Sequence, residues 1–442
     1  MISRMLVANR GEIAVRIIRA CREMNIETVA VYSVADAESM HVKLADKAVC
    51  IGPSPSRESY LNRNALITAA VKTGCEALHP GVGFLSENAE FAREVQKAGL
   101  IWIGPSPETI ELLGDKIKAR STALKSGLPV TPGTNGAVSD IKEAKKFAQA
   151  CGYPVIIKAA SGGGGKGMRI VYKEDELEEN CRIASVEAEK NFSDKTIYIE
   201  KYLENPRHVE LQILSDGKGK TAVLGERDCT VQKNHQKLIE ESPSPCVTEE
   251  MRQKMYDGAR KLFSSLKYCG AGTIEFLVEK NDFYFMEVNA RVQVEHPVSE
   301  FVSGVDIIRE QILVCTGENL EIDPEKIELK GWAIEARINA KTPGKITQLD
   351  VPGGLGVRFD SFLYNGYKVV PFYDAMLAKL IVHDETRERA IKRLECALKE
   401  LCIEGIKTNA EEQLKILNTE QFKTGIFGTS LYAELEKAGV LR

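Results

Sequence analysis

The chain contains 442 residues, of which 43% are hydrophobic, and 59 basic against 63 acidic residues give a formal net charge of -4. A chain of this length can bury substantial cores, and its balanced charge argues against nucleic acid or a membrane surface as a partner. Its eleven cysteines include no C-x-x-C pair, which predicts reduced thiols and a cytoplasmic protein.

Residues 1–113 are predicted to form a Rossmann-like domain. Apolar strands at Met5 to Ala8 and Thr28 to Tyr32 flank an amphipathic helix that ends near Met24, and this βαβ order predicts a parallel sheet. The turn after the first strand lacks the G-x-G-x-x-G fingerprint, so we expect no dinucleotide there. No run approaches the roughly 18 apolar residues of a membrane span, and the N-terminal apolar run is too short for a signal peptide.

Residues 114–130 are predicted to be a linker, and residues 131–203 a small lid domain. Its strand from Pro154 to Ala160 enters the segment 161–168, which contains four consecutive glycines, and a second strand follows from Arg169 to Tyr172. Glycines let backbone N–H groups approach an anion, so the hairpin is predicted to close over phosphates with Lys158 and Lys166 as counter-charges. The alternative is a glycine-rich linker without a ligand.

Residues 204–442 are predicted to be a larger C-terminal domain. It should begin with a long strand at Val209 to Leu214 and finish with helices at Glu385 to Leu401 and Asn409 to Leu417.

An acidic hairpin is predicted inside this third domain. The strand from Gly272 to Glu279 is followed by a segment in which polar and apolar residues alternate from Glu287 to Glu295, which predicts a strand with one polar face. A turn centred on Asn281 would pair Glu275 with Glu287, and two opposed carboxylates favour a cation such as Mg²⁺ between them. The alternative is a solvated polar face, but aromatic residues on both faces predict burial.

Several motifs distributed along the chain are specific in combination. They are Ala8-Asn9-Arg10-Gly11-Glu12-Ile13-Ala14, His79-Pro80-Gly81 with Gly83-Phe84-Leu85-Ser86-Glu87-Asn88, the glycine loop through Arg169, Glu226-Arg227-Asp228-Cys229, Asn289 through Glu300, and Pro371 through Asp374. Together they resemble the ATP-grasp superfamily and, more closely, the biotin carboxylase family. This resemblance implies an α/β protein with an α+β ATP-binding part.

The resemblance implies ATP as a co-substrate and Mg²⁺ or Mn²⁺, with two ions, as cofactor. Glu275 and Glu287, with Asn289 beside them, match the metal-binding positions. The positions that match contacts to the nucleotide are Lys116, Lys158, Gly163, Gly164, Gly165, Lys166, Glu200, Lys201, Leu203, His208, Gln232, His235, Glu275 and Glu287.

The resemblance also implies a bicarbonate site and a biotin site. Bicarbonate would be held by Lys237, Arg291, Gln293, the backbone of Val294 and Glu295. Glu295 would act as the base that deprotonates bicarbonate for attack on ATP, giving carboxyphosphate.

Arg337 matches an arginine that stabilises the biotin enolate, and it lies in an alternating strand from Trp332 to Asn339. Without the resemblance, a surface arginine is the alternative. The four residues expected to take part in the chemistry are Glu295, Arg337, Lys237 and Arg291.

The expected partners follow from the same resemblance. No Met-Lys-Met biotinylation motif occurs in the chain, so biotin is expected on a separate carrier protein, with carboxyltransferase subunits as further partners. Arg19 and Glu23 match a two-fold interface, which predicts a homodimer; without the resemblance they could equally be an i,i+4 pair on an exposed helix.

Acetyl-CoA carboxylase is the expected assembly, with a pyruvate or other acyl-CoA carboxylase as the alternative. Two other hypotheses are an ATP-grasp ligase that joins a carboxylate to an amine, and a silent scaffold that binds nucleotide.

Overall fold

The computed structural model describes residues 2–134, 136–138, 140–160 and 168–441. Within these ranges no helix is both long and apolar enough to cross a bilayer. All eleven cysteines are free thiols.

A five-stranded parallel sheet occupies the N-terminal part of the chain, with strand order β3-β2-β1-β4-β5. The predicted βαβ start is therefore confirmed. The strands are β1 (Arg4–Val7), β2 (Glu27–Ser33), β3 (Lys47–Gly52), β4 (Ala77–His79) and β5 (Ile101–Trp102). The helices are α1 (Gly11–Glu23), α2 (Met40–Leu44), α3 (Arg63–Lys72), α4 (Ala89–Lys97), α5 (Pro107–Gly114) and α6 (Lys116–Lys125).

Two of the sequence motifs meet at the carboxyl ends of neighbouring strands of this sheet. The Asn9 side-chain amide, just after β1, donates to the carbonyls of Pro80 at 2.7 Å and Val82 at 2.9 Å, just after β4. Gly81 has a φ of +66°, and an added Cβ would lie 2.7 Å from the Asn9 amide nitrogen. Glycine is therefore required at this close approach.

A smaller antiparallel sheet with order β7-β6-β8 carries two helices. Its elements are α7 (Ile141–Cys151), β6 (Val155–Ala159), β7 (Met168–Val171), α8 (Glu174–Phe192) and β8 (Ile197–Lys201). Val155, Ile157 and Ile199 form its core together with apolar residues of α7 and α8. The strands on either side of the glycine-rich segment are therefore present as predicted.

An eight-stranded sheet dominates the rest of the molecule, with order β13-β12-β9-β10-β11-β14-β19-β17. Its strands are β9 (Arg207–Asp216), β10 (Thr221–Lys233), β11 (Gln236–Ser242), β12 (Cys269–Glu279), β13 (Asp282–Asn289), β14 (Trp332–Asn339), β17 (Val357–Ser361) and β19 (Met376–Asp384). Two short ladders pair β15 (Gly344–Lys345) with β18 (Lys368–Val369) and β16 (Gln348–Asp350) with β20 (Cys402–Glu404).

Helices cover this sheet and include the two predicted near the C-terminus. They are α9 (Glu249–Ser265), α10 (His296–Ser303), α11 (Ile307–Cys315), α12 (Arg387–Glu400), α13 (Ala410–Leu417), α14 (Glu420–Thr424) and α15 (Leu431–Lys437). Short α10 packs against β10, β11, β14 and β19. The loop that precedes α10 is thereby held over the middle of the sheet.

Candidate active site

Lys237, near the start of β11, lies at the centre of a buried cluster of carboxylates. Its Nζ donates to Glu210 Oε2 and Glu295 Oε1, each at 2.6 Å, and to Glu275 Oε1 at 3.2 Å. Burial alone would lower the pKa of Lys237, but the negative groups around it raise that pKa well above its ordinary value. The ammonium is therefore a fixed positive charge.

Glu295 lies between two cations. Its Oε1 accepts from Lys237, its Oε2 accepts from Arg337 Nη2 at 3.0 Å, and the residue is 2% exposed. Burial disfavours its charge, yet Lys237, Arg337 and Arg227 hold the pKa of Glu295 well below its usual range. The side chain is thus an ionised carboxylate inside the protein, as a base for a small acid requires.

Arg337 is held by a second carboxylate from the adjacent strand. Its Nε donates to Glu240 Oε1 at 2.5 Å, and burial raises the pKa of Glu240 to about 7 despite this arginine. The prediction that β14 spans Trp332–Asn339 is confirmed. Because Arg337 is bonded to two buried acids, it is no mobile surface arginine.

Arg227 supports the cluster from within the sheet and has no exposed side-chain surface. It donates to Glu210 Oε1 at 2.6 Å, to Gln212 at 2.5 Å and to Gln293 Oε1 at 3.1 Å. Removing a partner of such a network leaves a buried charge uncompensated. Arg227 therefore fixes where Glu210 and Gln293 lie.

The acidic hairpin has the predicted cross-strand pair, but a different turn. Glu275 on β12 pairs with Glu287 on β13, and Thr273 pairs with Asn289. The turn consists of Lys280 and Asn281, with Glu279 opposite Asp282, so its centre lies earlier than predicted. The cross-strand register shifts, in a β-bulge, between the pair formed by Glu275 and the pair formed by Phe276. This shift places Glu275 opposite Glu287, as predicted.

The two paired carboxylates have different environments. Glu275 accepts from His208 at 2.8 Å and from the amides of Asn289 and Gln293, both at 2.8 Å. Burial opposes its charge, but Lys237 and then His208 lower the pKa of Glu275 well below its ordinary value. The pKa of Glu287 is instead raised, by burial and then by the charge of Glu275. A cation beside Glu287 would relieve both effects.

The candidate metal ligands are only partly grouped in the structure. Two groups of three potential ligands lie within 4.8 Å, namely His208, Glu210 and Glu275, and Glu210, Cys229 and Glu295. Both groups include carboxylates that already bind the Lys237 ammonium, which disfavours a metal ion at that point. Within the described ranges, Glu287 belongs to neither group. Hard oxygen donors at Glu275, Glu287 and Asn289 nevertheless suit Mg²⁺ or Mn²⁺ in chemical type.

The prediction of one strand from Glu287 to Glu295 is wrong. Strand β13 ends at Asn289, and α10 begins at His296 with a proline in its first turn. The residues between them form a loop that returns Gln293 and Glu295 to the cluster. Alternation alone could not distinguish this loop from a strand, because both can place polar side chains on one side.

Arg291 lies in this loop and is held by the N-terminal part of the chain. Its Nε donates to Glu87 Oε2 at 2.9 Å, and its Nη2 donates to Asn289 Oδ1 at 3.1 Å. Glu87 also accepts from the backbone N–H of Ala290 at 3.2 Å. The loop therefore places the Arg291 guanidinium near the acidic hairpin, as a cation in addition to Lys237.

The predicted nucleotide residues fall into several groups. Lys158 Nζ donates to Glu200 Oε2 at 2.5 Å, and Arg120 of α6 donates to Glu200 Oε1 at 2.6 Å. Lys116 begins α6, and its pKa is lowered by burial despite the nearby charge of Glu287. These contacts connect the smaller sheet to the acidic hairpin.

Lys201 and Leu203 lie at the edge of the smaller sheet and line a cavity of about 570 Å³. His208 and Gln232 instead join the cluster, with 2.7 Å between Gln232 Nε2 and His208 Nδ1. His235 is exposed in the turn between β10 and β11. It makes no hydrogen bond to the cluster within the described ranges.

The predicted phosphate contacts Gly163, Gly164, Gly165 and Lys166 lie outside the described residues. The strands on either side of this segment pair Lys158 with Met168.

Sequence reasoning assigned no role to several residues that build the site. These residues are Glu87, Glu210, Arg227, Glu240 and Lys379. For Glu210 a signal was available, because His208, Glu210 and Gln212 alternate along β9 as a polar face. The others depend on contacts between segments distant in sequence.

Comparison with known proteins covers nearly all of the chain. Residues 1–110 match the family model described as biotin carboxylase, N-terminal domain, and residues 335–434 match biotin carboxylase C-terminal domain. Residues 115–323 match carbamoyl-phosphate synthase L chain, ATP binding domain.

Curated relatives are similar over nearly their full lengths. The chain is 50% identical to biotin carboxylase of Haemophilus influenzae, with 100% of each chain covered. It is 48% identical to a pyruvate carboxylase subunit of Methanothermobacter thermautotrophicus, over 99% of this chain and 91% of that one.

Solved structures agree with this match. A biotin carboxylase complex from Campylobacter jejuni has a TM-score of 0.95 at 46% identity, covering 98% of this chain and 99% of that one. The biotin carboxylase domain dimer of Hydrogenobacter thermophilus 2-oxoglutarate carboxylase, with MgADP and bicarbonate, has a TM-score of 0.94 at 42% identity, covering 100% and 99%. The predicted α/β class and ATP-grasp architecture are confirmed.

Proposed function

The chain belongs to the biotin carboxylase family of ATP-dependent ligases, and we propose that it carboxylates biotin on a separate carrier protein, using bicarbonate and ATP by way of carboxyphosphate. The observation that supports this most directly is the ionised Glu295 carboxylate, 2.6 Å from Lys237 and 3.0 Å from Arg337.

In the first step Glu295 removes the proton of bicarbonate. Lys237, Arg291, Gln293 and the Val294 backbone hold the anion beside the carboxylate. The freed oxygen attacks the γ-phosphorus of ATP, the bond from that phosphorus to the bridging oxygen breaks, and carboxyphosphate and ADP result. Because Glu295 is ionised in advance, no proton has to leave it before the step begins.

In the second step carboxyphosphate divides into CO₂ and phosphate. The phosphate takes the proton of the biotin ureido nitrogen, and that nitrogen then forms a bond to the carbon of CO₂. Arg337 lies beside the negative oxygen that develops on biotin. A fixed cation at such a position commonly contributes about 3 kcal/mol or more to the transition state.

We assign the metal to Glu275, Glu287 and Asn289, with Mg²⁺ or Mn²⁺ and two ions per site. The donor set supports this, because the two carboxylates face each other across the hairpin and the pKa of Glu287 is raised by burial and then by the charge of Glu275. The relative from H. thermophilus was solved with MgADP. When bound, the ions would neutralise phosphate charge.

The nucleotide would contact residues from the smaller sheet and from the acidic cluster. Lys116, Lys158 and the glycine loop would bind its phosphates, and Glu200, Lys201 and Leu203 would hold its base. His208, Gln232 and His235 would complete the site. Of these residues, Lys201 and Leu203 line a common cavity, which supports a place for the base there.

We propose acetyl-CoA carboxylase as the assembly, with a carrier protein and carboxyltransferase subunits as partners in the cytoplasm. Curated relatives named simply biotin carboxylase are consistent with this assembly. The relatives named for pyruvate and 2-oxoglutarate carboxylases favour the alternative that another carboxylase uses this chain.

We also propose a homodimer formed through α1. Arg19 and Glu23 are exposed on this helix, and α1 packs against β17. Leu355, just before β17, is a large apolar side chain that is 92% exposed, and we place it in the same interface. The relative from H. thermophilus is a domain dimer.

The proposed function is tested by ADP release from the purified protein with ATP and Mg²⁺. Bicarbonate, free biotin and a simple amine are each added or omitted. We expect turnover that requires bicarbonate and rises with biotin. Turnover stimulated by the amine without bicarbonate would instead support a carboxylate–amine ligase.

The variant Glu295→Gln separates the enzyme from a nucleotide-binding scaffold. It keeps the size of the side chain and removes the base. We expect turnover to fall by about 100-fold or more, while ATP binding measured by calorimetry is retained. Unchanged turnover would contradict the role of Glu295.

A further inference from the structure

Lys379 is a fully buried lysine that lies beneath the predicted bicarbonate loop. It occupies β19, directly opposite Arg337 of β14 in the sheet register. Its Nζ donates to the carbonyl oxygen of Val294 at 2.8 Å and lies 3.0 Å from Glu12 Oε2 of α1. The residue therefore connects the N-terminal helix, the sheet and the loop at one point.

The carbonyl that Lys379 holds belongs to the residue immediately before Glu295. Val294 and Glu295 share a peptide unit, so a displacement of that carbonyl turns the backbone from which the Glu295 side chain extends. The preceding carbonyl, of Gln293, accepts from His296 Nδ1 at 2.8 Å. Two buried donors thus fix consecutive carbonyls of the loop.

The surroundings explain why the donor is a charged lysine. A buried ammonium is costly unless it is paired, and Glu12 is an ion-pair partner of Lys379. Asp360 lies 4.0 Å away and is already paired with Arg358 at 2.6 Å. A charged donor also binds a carbonyl more strongly than a neutral one.

Glu335 is a third buried acid near Lys379. It pairs with Glu240 across β11 and β14, and neither of its carboxylate oxygens has a hydrogen-bond partner within the described ranges. Burial raises the pKa of Glu335 well above its ordinary value, which favours its neutral form. Glu12, at 3.0 Å, is the ion-pair partner of the Lys379 ammonium.

We propose that Lys379 is a positioning residue for bicarbonate, acting through the Val294 carbonyl to place the Glu295 carboxylate and the loop that receives the anion. This inference rests on the proposed function of that loop. A lysine that only attached α1 to the sheet would, when removed, affect the KM values of both substrates alike.

The test is a comparison of Michaelis constants in ADP release. The double variant Lys379→Met/Glu12→Gln removes the donor and its counter-charge together, so no unpaired buried charge remains. Glu12→Gln alone keeps the Lys379 donor, with Asp360 at 4.0 Å as its remaining carboxylate, and is the matched control for loss of the counter-charge. We expect the KM for bicarbonate to rise about tenfold or more in the double variant, with the KM for ATP close to that of the parent protein.

The control variant and the remaining outcomes also test the role of Lys379. Glu12→Gln should leave the KM for bicarbonate near the parent value. An unchanged bicarbonate KM in the double variant would overturn the inference, as would equal rises for both substrates in both variants. Failure of both Lys379→Met and the double variant to fold, while Glu12→Gln folds, would show structural support instead. Turnover of the parent protein without bicarbonate would contradict the proposed function itself.

Discussion

At the scale of single residues, the site consists of opposite charges that fix one another before any substrate arrives. Lys237 bonds three carboxylates, and two of them, Glu210 and Glu295, are also held by Arg227 and Arg337 respectively. In a buried site of low dielectric, such a network strengthens its own members. The position and charge of Glu295 are therefore determined by its neighbours.

Lys237→Met should change the pH dependence of the reaction as well as its rate. Lys237 is the strongest influence that lowers the pKa of Glu295, while burial raises it. Without the ammonium this pKa should rise, so the base becomes protonated, and turnover falls, at a higher pH than in the parent protein. We expect the acid limb of bicarbonate-dependent ADP release to lie at a higher pH in Lys237→Met than in the parent protein.

The control for this measurement is Lys254→Met, on the exposed pair of Lys254 with Glu250. It should leave the profile unchanged. Identical acid limbs in Lys237→Met and the parent protein would show that Lys237 does not set the ionisation of Glu295.

Glu287→Gln should weaken metal binding while stabilising the protein without metal. The folded-state pKa of Glu287 is raised above 4.5 by burial and by Glu275. As the pH rises, Glu287 loses its proton at a lower pH in the unfolded chain than in the folded one. Above that pH, the ionisable side chain therefore lowers the free energy of unfolding. Glutamine lacks this cost. We expect an equal or higher Tm without metal near neutral pH, and MgADP affinity about tenfold weaker or more.

Glu275→Gln is the comparison for this prediction. Glu275 accepts from Lys237, His208, Asn289 and Gln293, and its pKa is lowered by charges around it. Its loss should lower the Tm even without metal. Equal Tm changes in the two variants, measured by thermal unfolding with and without MgADP, would contradict the different environments of the pair.

At the scale of elements, the acidic hairpin shows what sequence alternation can and cannot predict. The pairing of Glu275 with Glu287 was predicted from a turn centred on Asn281, whereas a turn of Lys280 and Asn281 together with a β-bulge produces it. The bulge has no sequence signature here, since no glycine marks it. The end of β13 at Asn289 was missed, although Pro297 in the first turn of α10 was a visible signal of a helix start.

The order of the large sheet could not be predicted from the pattern of its strands. Arg337 meets Glu240 and Lys379 because β14 lies between β11 and β19, which are distant from it in sequence. Local periodicity identifies a strand but not its neighbours. The predicted domain boundaries at residues 113, 130 and 203 also remain a prediction.

Glu200→Gln should weaken ATP binding selectively. Glu200 on β8 bonds Lys158 of the same sheet and Arg120 of α6, so it connects the smaller sheet to the rest of the molecule. Glutamine offers only one acceptor and directs an N–H₂ group toward a cation. We expect the KM for ATP to rise several-fold, with the KM for bicarbonate unchanged, in steady-state ADP release.

A matched variant for this experiment is Glu187→Gln, in the more exposed pair of Glu187 with Arg169 of the same small sheet. Exposed pairs contribute little, about 1 kcal/mol or less. We expect no change in the KM for ATP. A bicarbonate KM that rises as much as the ATP KM in Glu200→Gln would show a general disturbance.

At the scale of the whole molecule, the N-terminal sheet contributes to a site that lies mostly on the large sheet. Glu87 holds Arg291, and Glu12 pairs with Lys379. Both acids lie in motifs that sequence analysis associated with the family, yet no local pattern indicated what they contact. Their positions show that these two motifs hold Arg291 and Lys379 from the neighbouring sheet.

Formation of the homodimer should depend on the charged side chains exposed on α1. Arg19 and Glu23 are exposed on this helix, and like charges brought together across an interface oppose association. We therefore expect Arg19→Glu to shift the protein from dimer toward monomer in sedimentation velocity at a fixed concentration. Leu355→Asp should do the same, because it places a charge on an apolar side chain that is 92% exposed in the single chain.

Arg182→Glu is the control, since Arg182 is also an exposed arginine, on helix α8 beside the smaller sheet, with 67% of its side chain exposed. It should sediment as the parent protein does. A parent protein that is monomeric at every concentration would remove the proposed interface. A dimer unaffected by both Arg19→Glu and Leu355→Asp would place the interface on another surface, and the exposed Leu355 would then need a different partner.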